Sequence, residues 1–583
     1  MQSTVKRVAV IGAGPAGLVT VKELLEAGQS VLCFEKTTDL GGVFQFEQDK
    51  GCAYTSLQLT SSAAITCFSD FAPPKNAPHH FMHNEYFQYL SDYAAHFGLR
   101  KHIRFAEEVK KIKQNKNGTW TVISQNLHSH KEEEHLFDAV AVCSGVHQSP
   151  YIPALTGLET FTGEALHSIR YKNPDRFKGK RVVVVGAGES ASDIVDEVSK
   201  VSTECILSIR RGTMIIPRTI FGNPNDYYTN RFFYMLPTWF VRQLDRKSFL
   251  PRIILGGLAM TFIYLLFSFI EQCFYWFVPP SKTLNTFFYF SVILLCIYLI
   301  YAIIRLVLLD LPIDVMKAIR HQLSDLEVGH AGQFTTKSTG MARAVAEKRC
   351  SVKKGIDRFE GAKVIFSDQT EFQADTVIFC TGYEVNFPFL QKNRVDLRKF
   401  YKNCFSADSD STLAFIGFAR PAIGAIPPIA EMQARWFASL LSGRTRLPPP
   451  EIMAREIEAD AKWHKTNFFK VSDRVTGLVE YTRYMDELAE KIGCRPRWTD
   501  LLRHPRLLIP IFTNPFSANQ YRFQGTPEQK KIAGNTLTRI PPEPFWVIYC
   551  LGLAATVCVS QILYLLGFKR FKLNLPLGQK KSE

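Results

Sequence analysis

Residues Val8 to Gly17 read V-A-V-I-G-A-G-P-A-G, an apolar strand running straight into a G-x-G-x-x-G turn. The first glycine of such a turn permits the sharp bend, and the second lets the backbone approach a pyrophosphate. The third lets the following helix pack on the sheet. Gly12, Gly14 and Gly17 fill these places, with Ala13, Pro15 and Ala16 between them. A helix from Ala16 to Ala27 would aim its positive N-terminus at the phosphates. Gly28 ends it, Ser30 to Phe34 reads as the second strand, and Glu35 stands where a carboxylate accepts a hydrogen bond from a ribose hydroxyl. The chain therefore opens with a dinucleotide-binding βαβ unit.

Two further small-residue stretches follow, Leu40 to Phe44 with Gly42, Val43 and Phe44, and Ser56 to Ser62 with Thr60 and Ser61. So close to a phosphate turn, they suit contact with the rest of a large cofactor. Apolar spacing predicts a helix over Glu85 to Phe97, alternation predicts antiparallel hairpins between Phe105 and Leu136, and Asp138 to Gly145 reads as a buried strand.

A second signature begins at Arg181. The strand Arg181 to Val185 enters a G-x-G-x-x-A turn at Gly186, Gly188 and Ala191, with Ser190 inside it and Ser192 and Asp193 just beyond. The next strand, Cys205 to Ile209, ends in Arg210 and Arg211 rather than in an acid. Guanidinium groups there suit a 2′-phosphate through charge-assisted pairs, which selects NADP over NAD. A first turn with an acid and a second with arginines imply FAD first and NADPH second. The expected fold class is α/β, with two Rossmann-type dinucleotide-binding domains, the NADPH domain inserted into the FAD domain, and helical membrane segments besides. The boundaries read as 1–155 and 376–450 for the FAD domain and 156–375 for the NADPH domain. A C-terminal helical extension follows over 451–543.

At 583 residues the chain is too long for a single core. Its 70 Lys and Arg against 54 Asp and Glu leave a charge of +16, spread along the sequence without a basic block interleaved with aromatics. That suits an anionic membrane surface and phosphorylated cofactors, not nucleic acid. The 13 cysteines have neither C-x-x-C nor metal-ligand spacing, so no metal site and no disulfide framework is expected. Met1 to Arg7 is polar and the first strand starts at once, so no signal peptide is expected ahead of the fold.

Three apolar runs stand apart. Ile253 to Val278 and Thr283 to Ile304 flank Pro279-Pro280 and read as a helical hairpin inserted at 253–309, each arm long enough to cross a bilayer. A re-entrant or surface-lying pair is the alternative. The third run, Pro544 to Phe568, precedes a basic tail over 569–583 that ends in K-K-S-E, which matches a K-K-x-x retrieval signal of the endoplasmic reticulum. A hairpin plus one full crossing would put that tail opposite the FAD domain. The retrieval reading therefore requires one run not to cross fully.

Phe161 to Tyr171 (F-T-G-E-A-L-H-S-I-R-Y) resembles the F-x-G-x-x-x-H-S-x-x-Y fingerprint of flavin-containing monooxygenases, and it precedes the NADPH turn as in that family. Cys67 to Phe71, Phe379 to Tyr383, Glu431 to Trp436 and Asn514 to Arg522 are similar to further family landmarks, in the right order. The resemblance implies that NADPH reduces FAD and that O₂ adds at flavin C4a. The hydroperoxide then oxygenates a soft nitrogen or sulfur nucleophile, here a small lipophilic amine or sulfide. It also implies roles for His167 and Gln433 in holding cofactors, and the third apolar run resembles the C-terminal anchor of vertebrate members. With the polar start and the K-K-S-E end, the expected place is the endoplasmic-reticulum membrane with the catalytic part facing the cytosol. Two positions depart from the pattern. Phe44 stands where the family has tryptophan, and Thr60 takes the place of the active-site asparagine at the flavin–nicotinamide junction. A hydroxyl lacks the amide's carbonyl and second donor. A Baeyer–Villiger ketone monooxygenase and an uncoupled NADPH oxidase or redox sensor that releases H₂O₂ are the alternatives.

Overall fold

The computed structural model describes residues 5–47, 51–220, 222–231, 313–323, 335–390, 395–406, 411–421, 423–467, 477–497 and 505–539. The apolar runs at 253–304 and 544–568 and the basic tail lie outside the described residues. Among the described residues no helix is long and apolar enough to cross a membrane.

The strands that carry the fold are β1 (Arg7–Ile11), β2 (Ser30–Phe34), β3 (Ile103–Arg104), β4 (Ala139–Val142), β5 (Glu164–His167), β6 (Arg181–Val185), β7 (Glu204–Ile209), β8 (Ser351–Lys354), β9 (Thr376–Phe379) and β10 (Leu413–Phe415). They form two five-stranded sheets, ordered β10-β4-β1-β2-β3 and β8-β7-β6-β9-β5. Every pairing within the two sheets is parallel. In each, the strand leading into a glycine turn lies at the centre, next to the strand that follows its helix, which is the Rossmann arrangement. Val8, Ala9 and Val10, like Val182, Val183 and Val184, are wholly buried. Parallel strands covered on both faces favour such unbroken apolar runs.

Each unit also carries a three-stranded antiparallel meander between its outer strand and its fourth. In the first unit it comprises Glu107–Gln114, Trp120–Asn126 and Glu132–Phe137, where hairpins are expected from alternation. In the second it comprises Ile356–Glu360, Lys363–Phe366 and Glu371–Gln373. The two units therefore repeat one plan. The return to the first unit comes later than the sequence boundary at 376. Thr376 to Phe379 pairs with Val182 to Val185 in the second sheet, and the chain rejoins the first sheet at β10. An apolar run of this kind completes either sheet equally well, so only the pairing decides.

Four helices position the site: α1 (Pro15–Glu26), α2 (His83–His96), α3 (Glu189–Val198) and α4 (Ile426–Leu441). Behind α1, three of the landmark segments meet in one buried ionic cluster. Arg522 reaches Glu23 at 2.6 Å, Glu431 at 3.0 Å and Asp70 at 3.1 Å, while its Nε donates to Ser69 Oγ at 2.7 Å. Lys22 pairs with Asp70 and, at 3.2 Å, with Glu23. Asn519 donates to the Ser69 carbonyl at 2.9 Å. The cluster clamps the 67–71 loop and the 518–522 segment onto the helix that follows the first glycine turn.

Candidate functional site

The two glycine turns share one pattern of packing. A Cβ at Gly12 would stand 2.8 Å from the Cys143 carbonyl oxygen, and one at Gly186 would stand 2.5 Å from the Cys380 carbonyl oxygen. Both have positive φ, 101° and 130°. At Gly17 a Cβ would fall 1.8 Å from the Gly12 carbonyl oxygen, so the third glycine is needed for helix packing. The middle glycines differ. Around a Cβ at Gly188 nothing lies within 4 Å, and at Gly14 only the Gly42 backbone is near, at 3.6 Å or beyond. Both middle glycines thus face the open ground in front of a helix N-terminus, where a pyrophosphate fits. The Gly42-Val43-Phe44 segment forms a short 3₁₀ turn beside Gly14, with the Phe44 ring edge-on to Tyr86 at 4.7 Å.

Glu35 is buried at the end of β2. Its Oε2 accepts from the Ala13 N–H at 2.6 Å, and its Oε1 accepts from the Thr37 N–H at 2.9 Å and the Thr37 hydroxyl at 2.8 Å. The carboxylate therefore braces the first turn, and with several lone pairs it can still receive a ribose hydroxyl. Pro15 and Ala16 open α1. Thr60 is half-buried and makes no side-chain hydrogen bond among the described residues. Ser61 is engaged with the Thr66 hydroxyl at 2.7 Å.

In the second unit, Ser190 and Ala191 lie in the first turn of α3 and Arg210 and Arg211 are exposed just past β7. Ser192 is buried and faces inward, donating to the Ser338 carbonyl at 3.1 Å and accepting from the Met341 N–H at 3.0 Å. Asp193 is a hub. It accepts from Tyr54 Oη at 2.9 Å, from Arg218 Nη2 at 2.8 Å and from Ser338 Oγ at 2.7 Å. Tyr54 belongs to the first unit, so this bond fastens the loop leading to Thr60 onto the helix of the second glycine turn. Lys172 adds to the seam by donating to the carbonyls of Gly51 and Ala53, both at 2.9 Å.

His167 and Gln433 are engaged in internal hydrogen bonds rather than standing as open ligand groups. His167 Nε2 donates to the Gly382 carbonyl at 2.9 Å and Nδ1 accepts from the Ile169 N–H at 3.2 Å. Burial holds the imidazole below its ordinary range, so it is neutral and both nitrogens are occupied. Gln433, wholly buried, accepts from the Gly417 N–H at 2.9 Å and donates to Tyr484 Oη at 2.8 Å. A Cβ at Gly417 would stand 2.7 Å from Ala16 Cβ. His167 thus sets the crossover at Gly382, and Gln433 sets the wall against the start of α1.

A group of buried charges at this junction escapes sequence reading. Asp226 Oδ2 accepts from the Ser62 N–H at 2.6 Å, and Glu189 Oε1 accepts from the Lys337 N–H at 2.8 Å. Asp226 Oδ1 and Glu189 Oε2 are buried with no hydrogen-bond partner. Burial pushes both carboxyls up, and it pulls the Lys337 ammonium down. Nearby, Gln58, His79, His80, Arg218, Thr219 and Thr339 line a cavity of about 370 Å³. No local spacing marks these residues, since they come from five separate segments.

Comparison with known proteins agrees with this geometry. A family described as flavin-binding monooxygenase-like matches residues 5–252 and 331–540, leaving out the stretch that holds the first two apolar runs. The 4-hydroxybenzoate brominase (decarboxylating) of Marinomonas mediterranea is 35% identical over 542 residues, covering 93% of this chain and 94% of its own. Human flavin-containing monooxygenase 2 is 33% identical over 552 residues, covering 91% of each. The solved structure of S-allyl-L-cysteine S-oxygenase from Allium sativum shares the fold, with a TM-score of 0.57 at 20% identity over 93% of this chain and all of its own. Two glycine turns of matching construction, set in a family match that spans both, make this chain a member of the flavin-binding monooxygenase family, an enzyme that uses FAD and NADPH.

Proposed function

We propose that this enzyme uses NADPH and O₂ to transfer an oxygen atom to a soft nitrogen or sulfur centre of a lipophilic substrate. The observation that carries the reading is the Tyr54–Asp193 bond of 2.9 Å. It fixes the loop leading to Thr60 in the FAD unit against the helix of the NADPH turn, which supports a reading in which hydride donor and acceptor share one junction. FAD held at the first turn would supply the redox chemistry, with NADPH as the reductant and O₂ as the oxygen source. The chain's residues orient and shield. Gly12, Gly14, Gly17, Glu35 and Gly42 would hold FAD, and Gly186, Gly188, Ser190, Arg210 and Arg211 would hold NADPH. Thr60 would offer one hydroxyl at that junction, and His167, with both ring nitrogens hydrogen-bonded, keeps the adjacent crossover in place.

A second reading rests on the 35% identity to a decarboxylating brominase. Bromide is also a soft nucleophile, so an enzyme that oxygenates amines or sulfides and one that oxidises bromide need the same electrophilic oxygen. They differ in what enters the junction. The deciding experiment supplies the full-length flavoprotein with NADPH and O₂. Substrates are a tertiary amine, a thioether, a cyclic ketone, or bromide with 4-hydroxybenzoate, with product and peroxide both quantified. N- or S-oxide formed in step with NADPH consumption supports the proposal. A brominated phenol would move the enzyme to the second reading, a lactone to a Baeyer–Villiger type, and peroxide equal to NADPH consumed to an uncoupled oxidase.

The same proposal puts the enzyme at the endoplasmic-reticulum membrane with its catalytic units on the cytosolic side. Its support is in the sequence, in the apolar runs at 253–304 and 544–568 and the terminal K-K-S-E.

A further inference from the structure

Thr335–Thr336 pairs in parallel with Met214–Ile215, and the residues that follow lie across the second glycine turn. Thr336 Oγ1 donates to the Ala187 carbonyl at 2.8 Å, and the Lys337 N–H donates to Glu189 Oε1 at 2.8 Å. The Lys337 side chain is more than nine-tenths buried, with 7% of its surface exposed. Its ammonium, which carries three donors, makes no hydrogen bond or ion pair among the described residues and keeps a sliver of exposed surface, unlike the wholly buried carboxylate oxygens beside it. The opposite charges acting on it are Asp226 and Glu189, and each leaves one buried oxygen without a donor. Asp226 is bound in turn to the Ser62 N–H, two residues beyond Thr60. An unpartnered donor group and two unpartnered acceptors thus converge between the NADPH turn and the loop of the FAD unit.

Buried polar groups are normally satisfied, and a group left without a partner in the free protein points to one supplied by a ligand. The ligand needs both an acceptor for Lys337 and donors for the two carboxylate oxygens. Phosphate offers acceptors only and would face two carboxylates. A cationic amine would face the ammonium. A carboxamide flanked by ribose hydroxyls has both kinds of group.

We propose that Lys337, Glu189 and Asp226 form the subsite for the nicotinamide riboside half of NADPH. The Lys337 ammonium donates to the carboxamide carbonyl, and Glu189 Oε2 and Asp226 Oδ1 accept from the carboxamide N–H groups or the ribose hydroxyls. These are positioning residues. The inference rests on the NADPH assignment and is independent of which substrate is oxygenated.

The test is calorimetric titration of the full-length, FAD-loaded protein and its Lys337→Met variant with two ligands. One is NADP⁺. The other is adenosine 2′,5′-bisphosphate, which lacks the nicotinamide riboside. Loss of a hydrogen bond from a charged group should raise the Kd for NADP⁺ by about 10- to 100-fold. The Kd for the bisphosphate should stay within about twofold, the scatter expected of a change that touches nothing it contacts. Glu189→Gln, which keeps the shape and removes a charge, should show the same split to a lesser degree. Equal weakening of both ligands would assign Lys337 to the phosphates or to folding, and unchanged NADP⁺ affinity would remove the subsite. Either result overturns the inference. Because no turnover is read, a failed oxygenation assay leaves this result standing.

Discussion

At the scale of single residues, the two glycine turns separate folding from binding. Gly186→Ala places a Cβ 2.5 Å from the Cys380 carbonyl oxygen at a φ of 130°, so it should destabilise the second unit and give little soluble holoenzyme. Gly188→Ala meets nothing within 4 Å. It should keep its melting temperature while its KM for NADPH rises about tenfold or more, as expected where a backbone must approach a pyrophosphate. If both variants fold and bind alike, the open ground at Gly188 is not the phosphate site. Arg210 and Arg211 carry a separate expectation. Replacing both with Ala should raise KM for NADPH by about 10- to 100-fold, the value of a charge-assisted pair. The KM for NADH should barely move, and an equal rise for both nucleotides would remove the 2′-phosphate assignment.

At the scale of elements, the ionic cluster behind α1 explains why segments so distant in sequence are held together. Arg522 is 4% exposed and faces Glu23, Asp70 and Glu431, none of which has much water around it. Arg522→Met leaves those carboxylates without their guanidinium. Breaking a buried pair in this way costs about 3–5 kcal/mol. Thermal denaturation should show a fall in melting temperature together with loss of bound flavin, because the clamped helix follows the first glycine turn. A second element-level effect concerns the helix Tyr481–Ile492, whose N-cap Glu480 accepts from the N–H groups of Thr482 and Arg483. Burial pushes the Glu480 carboxyl from its ordinary 4.5 up to about 6. The folded protein therefore holds this proton more tightly than the unfolded chain, so the group's contribution to stability falls as pH rises from about 4.5 to about 6. Compared with wild type across that window, Glu480→Gln should show a flatter dependence of melting temperature on pH. Parallel curves would refute the shift.

For the whole molecule, the family match skips 253–330 and ends at 540, so the apolar runs lie outside the segments that define the two-unit enzyme. On the proposed membrane location, removal of 544–583 should loosen attachment without loss of flavin. Fractionation at alkaline pH is the measurement. A truncated protein that still requires detergent would assign anchoring to the run at 253–304, whereas one released wholly into the aqueous fraction would leave that run with no anchoring role.

The sequence by itself determined the two dinucleotide units, because a strand, a glycine turn and a helix are written in consecutive residues and their chemistry depends on local geometry. It also marked Glu35 at the end of β2 and the arginines beyond β7, since both follow a strand at a fixed offset. Only the tertiary structure decided which sheet Thr376 to Phe379 completes, and that His167 and Gln433 have their polar atoms engaged by Gly382, Gly417 and their neighbours. It alone brought Tyr54 to Asp193, Ser62 to Asp226 and Lys337 to Glu189. These contacts join segments far apart along the chain, and no periodicity records which distant partner a buried side chain will meet. Packing of two units against each other supplies that information, and at this seam it buries Lys337 close to the carboxylates of Glu189 and Asp226.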